Sequence, residues 1–131
     1  MPEALVFYHS TFDLAALAPV RRAVASWLSR TGMSRDRADD ITLAVAEMLG
    51  NAVEHGGGGG TVHLSLADRC VRCVISDVGP GLPDRVDRHR ASRPGPTAVG
   101  GRGLWLAFAL CTAVRLSSSA LGTRVELIVD V

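Results

Sequence analysis

The chain of 131 residues contains no lysine, and its fourteen basic residues are all arginine. That absence excludes one class of nucleotide site, because a P-loop needs a lysine to reach the terminal phosphates. A phosphate-binding cation must here be arginine, a metal ion or a set of backbone N–H groups. Charge of one sign is also lacking: the formal net charge is +1 at pH 7. No broad nucleic-acid or anionic-membrane surface is implied, and neither kind of partner is expected. No uncharged run is long enough to span a bilayer. The first residues, MPEALVFYH, carry an acid and lack the basic region and long apolar core of a signal peptide. The chain is therefore expected in the cytoplasm. Cysteine is scarce, and Cys70, Cys73 and Cys111 all sit among apolar neighbours. Cys70 and Cys73 have the spacing of half a zinc knuckle, but no second pair completes one. Buried thiols in a reducing compartment are the expectation.

What is present points to one domain, residues 1–131, with a core that needs no disulfide. Its organising stretch is Asp40 to His55, DITLAVAEMLGNAVEH. Ile41, Val45, Met48, Leu49 and Ala52 recur at helical spacing and form a single apolar stripe. Glu47 and Asn51 are four apart, so a carboxylate and an amide stand one turn apart on another face. Such a pair can orient a proton acceptor and a hydrated cation; it is equally compatible with an ordinary surface helix.

Upstream, Leu5 to His9 reads as a short strand, with Thr11 or Asp13 as a cap. Leu14, Leu17, Val20, Val24, Trp27 and Leu28 then mark a first helix that starts near Pro19 and ends at Thr31-Gly32. Ser34 is the N-cap expected for the second helix. Gly56 to Gly60 is an uninterrupted glycine run, read as a flexible connection. Val62, Leu64 and Leu66 alternate with polar residues, Ala67-Asp68-Arg69 reverses the chain, and Cys70 to Ser76 returns as the second strand of a hairpin.

Asp77-Val78-Gly79-Pro80-Gly81 closes that strand. Leu82 to Gly100 is rich in proline, arginine and aspartate and poor in apolar anchors, which reads as a lid. Gly100-Gly101-Arg102-Gly103 opens an apolar helix expected to be buried on most sides, and two strands, Val114 to Ser118 and Arg124 to Val129, complete the chain. The order β, α, α, β, β, lid, α, β, β implies an α+β fold. Its strands should form one mixed, mostly antiparallel sheet covered on one face by three helices.

Three pieces then need a common explanation. Asp77, at a strand end, can accept a hydrogen bond from an exocyclic amine, and Gly79 and Gly81 let a planar ring lie against backbone. The helix start at Gly101-Arg102-Gly103 offers N–H groups to phosphates. Thr123, after Gly122, can bring a hydroxyl near the base. Singly, DxGxG is equally a turn, GRG equally a helix cap, and Thr123 equally a strand former. Together, in this order, they resemble the ATP-binding domain of histidine kinases, gyrase-type ATPases and Hsp90-like chaperones (the Bergerat fold). Within that superfamily the chain resembles the small anti-sigma factors that are also serine/threonine protein kinases.

The resemblance rests on Glu47 and Asn51 in EMLGNAVEHG, Asp77, Gly79 and Gly81 in DVGPG, Gly101, Arg102, Gly103 and Leu104 in GGRGLWL, and Gly122 and Thr123 in GTRVEL. It implies an α/β sandwich that binds ATP and Mg2+ beneath the lid. Glu47 would be the catalytic base, Asn51 the metal ligand and Asp77 the adenine reader. The implied partners are a bacterial sigma factor, a small antagonist protein whose serine or threonine accepts phosphate, and a second copy of the chain. A regulatory binding protein gated by nucleotide, with little or no kinase activity, is the alternative. Two departures from the family pattern stand out. Glu54-His55 follows the asparagine, placing a further carboxylate near the phosphates unless it points away, and the lid offers only arginines, such as Arg93, besides Arg102.

Overall fold

A computed structural model describes residues 6–79 and 101–131, with backbone alone for Val6 and for residues 101–105. The expected lid, together with Gly81 and Arg93, lies outside the described residues.

Strand β1 runs Val6–Asp13, beyond the expected end at His9. Its ladder with β2 (Gly59–Ala67) pairs Val6 with Leu66 and Asp13 with Gly59. Ser10 and the candidate cap Thr11 continue the strand, and Phe12 enters the core. Asp13 nevertheless caps the turn that leads into the first helix: its Oδ1 accepts the Ala16 N–H at 2.9 Å. Helix α1 (Leu17–Leu28) keeps Pro19 within its first turn, where no intrahelical N–H is lost. Helix α2 (Arg35–His55) begins at the expected cap, with Ser34 Oγ accepting the Arg37 N–H at 3.2 Å. Strand β3 (Cys70–Asp77) returns from β2 through Asp68 and Arg69, whose φ values of 53° and 60° are the left-handed pair that a two-residue hairpin turn requires. Helix α3 (Gly101–Leu110), β4 (Ala113–Ser119) and β5 (Gly122–Asp130) complete the fold.

The five strands lie in the order β1-β2-β3-β5-β4, and every pairing among the described residues is antiparallel. Register places Val62, Ile75 and Val125 in one row, Leu64, Cys73 and Leu127 in the next, and Leu66, Val71 and Val129 in a third. These rows meet Val20, Val24, Trp27 and Leu28 of α1 and the apolar stripe of α2. Burial of each such side chain contributes about 1.5–3 kcal/mol, and a slip of one residue would turn a whole strand's set into water. That asymmetry fixes the register. Among the described side chains of α3, Ala107 is buried, Leu106, Phe108 and Leu110 are half-buried and Ala109 is exposed, so residues 106–110 are less covered than their apolar composition suggests. The helix packs against α2 and β4 at one side of the layer rather than over the middle of the sheet.

All three thiols are free. Cys73 is buried while Cys70 is only half-buried, and their odd spacing in one strand aims them at opposite faces, so they cannot chelate together. Burial pushes the Cys73 thiol well above the ordinary range, and burial, opposed by Arg37, pushes Cys111 up to about 11. Both therefore stay neutral at physiological pH and behave as small apolar core groups. Among the described residues, no helix is long and apolar enough to cross a membrane.

Candidate functional site

Asp77 ends β3, and its side chain is held on one oxygen. Oδ1 accepts the Gly79 N–H at 3.0 Å and the Thr123 N–H at 3.2 Å. The second bond joins β3 to the start of β5 across 46 residues of sequence. Oδ2 faces Gly56, where an added Cβ would stand 2.5 Å from it. An orientation of this kind commits one carboxylate oxygen to structure and leaves the other as an acceptor for an amine.

The glycine run is not the flexible connection its composition suggests. Gly56 is buried at the end of α2, and its N–H closes the last turn on the Ala52 carbonyl at 2.9 Å. A Cβ on Gly79 would collide with the Gly56 backbone. The two glycines are thus packed backbone to backbone beneath Asp77, which side chains at either position would prevent. Gly59 and Gly60 are already within β2, opposite Asp13 and Asp77. Gly56 is not legible in the sequence, because a run of identical residues conceals which member has a distant partner.

Thr123 is buried, and its Oγ1 lies 3.0 Å from Ser118 Oγ on β4. Ser118 does not stand out in the sequence; its register position opposite Thr123 was the signal available. A groove of about 260 Å³ opens at this end of the sheet, bordered by Ser76, Asp77, Ser118, Gly122, Thr123 and Arg124. Val78 and Leu121, both strongly exposed, stand at the same end.

Glu47 and Asn51 are half-buried on α2, one turn apart, and do not line that groove. They are tied to it through Gly56, the residue that ends their helix and touches Asp77. Asn51 precedes Gly56 by five residues and Glu47 by nine, so they stand roughly 7 and 13 Å back along the helix axis. Glu54 is exposed, with His55 Nε2 3.8 Å from its carboxylate, and so faces solvent. Gly101, Arg102, Gly103 and Leu104 form the first turn of α3, as expected, although only their backbone is described. Among the described residues, no group of three His, Cys, Asp or Glu side chains could enclose a metal ion. A cation here would need ligand oxygens in addition to an Asn51 amide.

The histidine kinase-like ATPase domain family matches residues 11–129. The chain belongs to that family. Membership implies ATP binding, and a carboxylate with one acceptor oxygen uncommitted among the described residues, walled by glycine backbone, suits an aminopurine. Among solved structures the domain is similar to the RsbU and RsbW domains of a Mycobacterium tuberculosis protein, with 28% identity and a TM-score of 0.70 over 95% of this chain. It spans 32% of that longer chain. It shares its fold with the histidine kinase domain of a blue-light activated kinase from Erythrobacter litoralis, at 23% identity and TM-score 0.59, covering 92% of this chain and 67% of that one. The same holds for the Acinetobacter baumannii histidine kinase AdeS, at 16% and 0.57, covering 94% of this chain and 67% of that one.

Proposed function

We propose that this ATPase domain is an anti-sigma factor and protein serine/threonine kinase. In this reading it acts in the cytoplasm, commonly as a homodimer, sequesters a bacterial sigma factor, and phosphorylates a serine or threonine of a small antagonist. The observation that supports it best is the connection of Glu47 and Asn51, through the end of α2 at Gly56, to the amine-accepting carboxylate of Asp77. The likeness to an RsbW domain supports the choice of a protein acceptor.

Asp77 would read the adenine amine, with Thr123 beside it and Gly79 and Gly81 forming the wall. Gly101, Arg102, Gly103 and Leu104 would seat the phosphates at the start of α3. Asn51 would contribute its amide oxygen to Mg2+, which when bound neutralises phosphate charge. Glu47 would take the proton of the acceptor hydroxyl as that oxygen bonds to the γ-phosphorus. The bond from phosphorus to the bridging oxygen breaks, and ADP leaves with its electron pair.

Incubation with Mg-ATP and a candidate antagonist, followed by intact-mass measurement, tests the reading. The antagonist should gain one phosphate with the wild-type chain. With Glu47→Gln it should gain phosphate at least about a thousandfold more slowly while ATP still binds. Tight binding of the antagonist without added mass, in the wild type, would instead favour a nucleotide-gated binding protein.

A further inference from the structure

The face of the sheet turned away from the helices carries a second arrangement, which shares Arg124 with the groove beside Asp77. Alternation directs His9, His63, Val74, Glu126 and Arg115 to that face in one cross-strand row, with Arg72 and Arg124 in the rows on either side. Among the described residues, no helix covers it. A carboxylate on an open face should be solvated, yet the Glu126 side chain is only 2% exposed. It is enclosed by its own neighbours. Arg72 Nε bonds to Oε2, and Arg115 Nη1 lies 3.5 Å from Oε1, while the two arginine side chains remain 53% and 72% exposed.

Glu126 therefore works as an anchor under two guanidiniums. Each arginine spends part of its donor set on the buried carboxylate, and a guanidinium carries five N–H groups. The remaining donors face solvent from side chains already held in place, so a second carboxylate would meet them at reduced entropic cost. Among the described residues the patch holds, with Arg124, three guanidiniums against two carboxylates, Glu126 and, in the row beyond Arg72, Asp130; Asp13 lies at its margin. Beside it, Phe7 is 65% exposed and stacked on His63 at 6.1 Å, and His63 meets His9 at 5.6 Å. Arginine and exposed aromatic rings are what protein interfaces are enriched in.

We propose that this helix-free face is a docking surface for an acidic protein segment, seated across β3, β5 and β4 on Arg72, Arg115 and Arg124. Charge selects the occupant. A second copy would oppose the same excess of positive charge to itself in a symmetric contact. Nucleic acid draws its affinity from many phosphates, for which three cations on a nearly neutral chain are a small complement. A segment with a few carboxylates matches both the number and the planar geometry of the guanidiniums.

The test uses the full chain and a fluorescein-labelled oligoglutamate peptide, followed by anisotropy at low salt. Arg115→Gln combined with Arg124→Gln removes the excess charge and leaves the Arg72–Glu126 pair intact. Arg30→Gln combined with Arg35→Gln removes the same charge from exposed positions elsewhere. The first variant should lose about tenfold in affinity and the second about twofold or less, with circular dichroism showing both folded. Amide shifts on titration should cluster on β3, β4 and β5. Equal losses in the two variants, no binding by the wild type, or tighter binding of an oligothymidylate than of the peptide would overturn the proposal. So would self-association of the wild type that the first variant abolishes.

Discussion

Asp77→Asn is expected to weaken ATP binding about a hundredfold or more while leaving the fold in place. The amide oxygen of asparagine can still accept the Gly79 and Thr123 N–H groups, so the joint between β3 and β5 survives. The other position changes from an acceptor to a donor and confronts the adenine amine with an N–H. Loss of a charge-assisted hydrogen bond, with two donors left facing each other, costs about 3 kcal/mol, and each 1.4 kcal/mol is tenfold in affinity. Asp77→Ala separates the two roles from the other side. It orphans both backbone donors as well, so it should lower thermal stability where the asparagine variant does not. Calorimetric titration and thermal melts of the two variants provide the comparison. Equal stability loss in both would mean that Asp77 is a structural residue only.

Gly56→Ala should lower both stability and ATP affinity, although local propensity argues for the opposite. Gly56 has φ −106° and ψ 30°, a conformation open to alanine. Removing a glycine there would by itself stabilise the chain by about 0.4–1 kcal/mol. The new Cβ, however, would stand 2.5 Å from both Cγ and Oδ2 of Asp77 and 2.7 Å from the Ala52 carbonyl oxygen. Overpacking of that kind costs roughly 1–3 kcal/mol, so the steric effect outweighs the entropic one. Relief comes most directly by moving the Asp77 carboxylate, the group proposed to read the adenine amine. A fall in affinity of about thirtyfold or more is expected with a stability loss of about 1–2 kcal/mol. Gly58→Ala is the contrasting variant. Gly58 has φ +99° and open space around it, so alanine there is strained but remote from the carboxylate and should leave ATP affinity unchanged.

Local signals in the chain were sufficient for much of the architecture. The stripe from Ile41 to Ala52 and the Ser34 cap locate α2, and alternation in β2 and β3 locates the hairpin, because each depends on neighbours a few residues away. The end of β3 at Asp77 was legible for the same reason: the strand pattern stops there and Gly79 follows two residues later. What escaped depends on partners far along the chain. Gly56 matters because Asp77 and Gly79 pack on it. Glu126 sits at a strand position that alternation assigns to solvent, and among the described residues Arg72, fifty-four residues earlier, and Arg115 fold over it. The extension of β1 through Ser10 and Thr11 likewise required β2 as a template, since Thr11 reads locally as a cap. The described end of α3, residues 106–110, departs in the other direction, because an apolar composition does not say how much sheet lies beneath it.

A single nucleotide, held at one end by Asp77 and at the other by the α2 face that carries Asn51 and Glu47, is the central claim. Parallel calorimetric titrations of the folded wild-type chain with Mg-ATP and Mg-GTP test this most directly. ATP should bind at a single site per chain, and GTP, which presents a carbonyl where adenine presents its amine, should bind at least about a hundredfold more weakly. Equal affinity for the two nucleotides, or no heat with either, would contradict it.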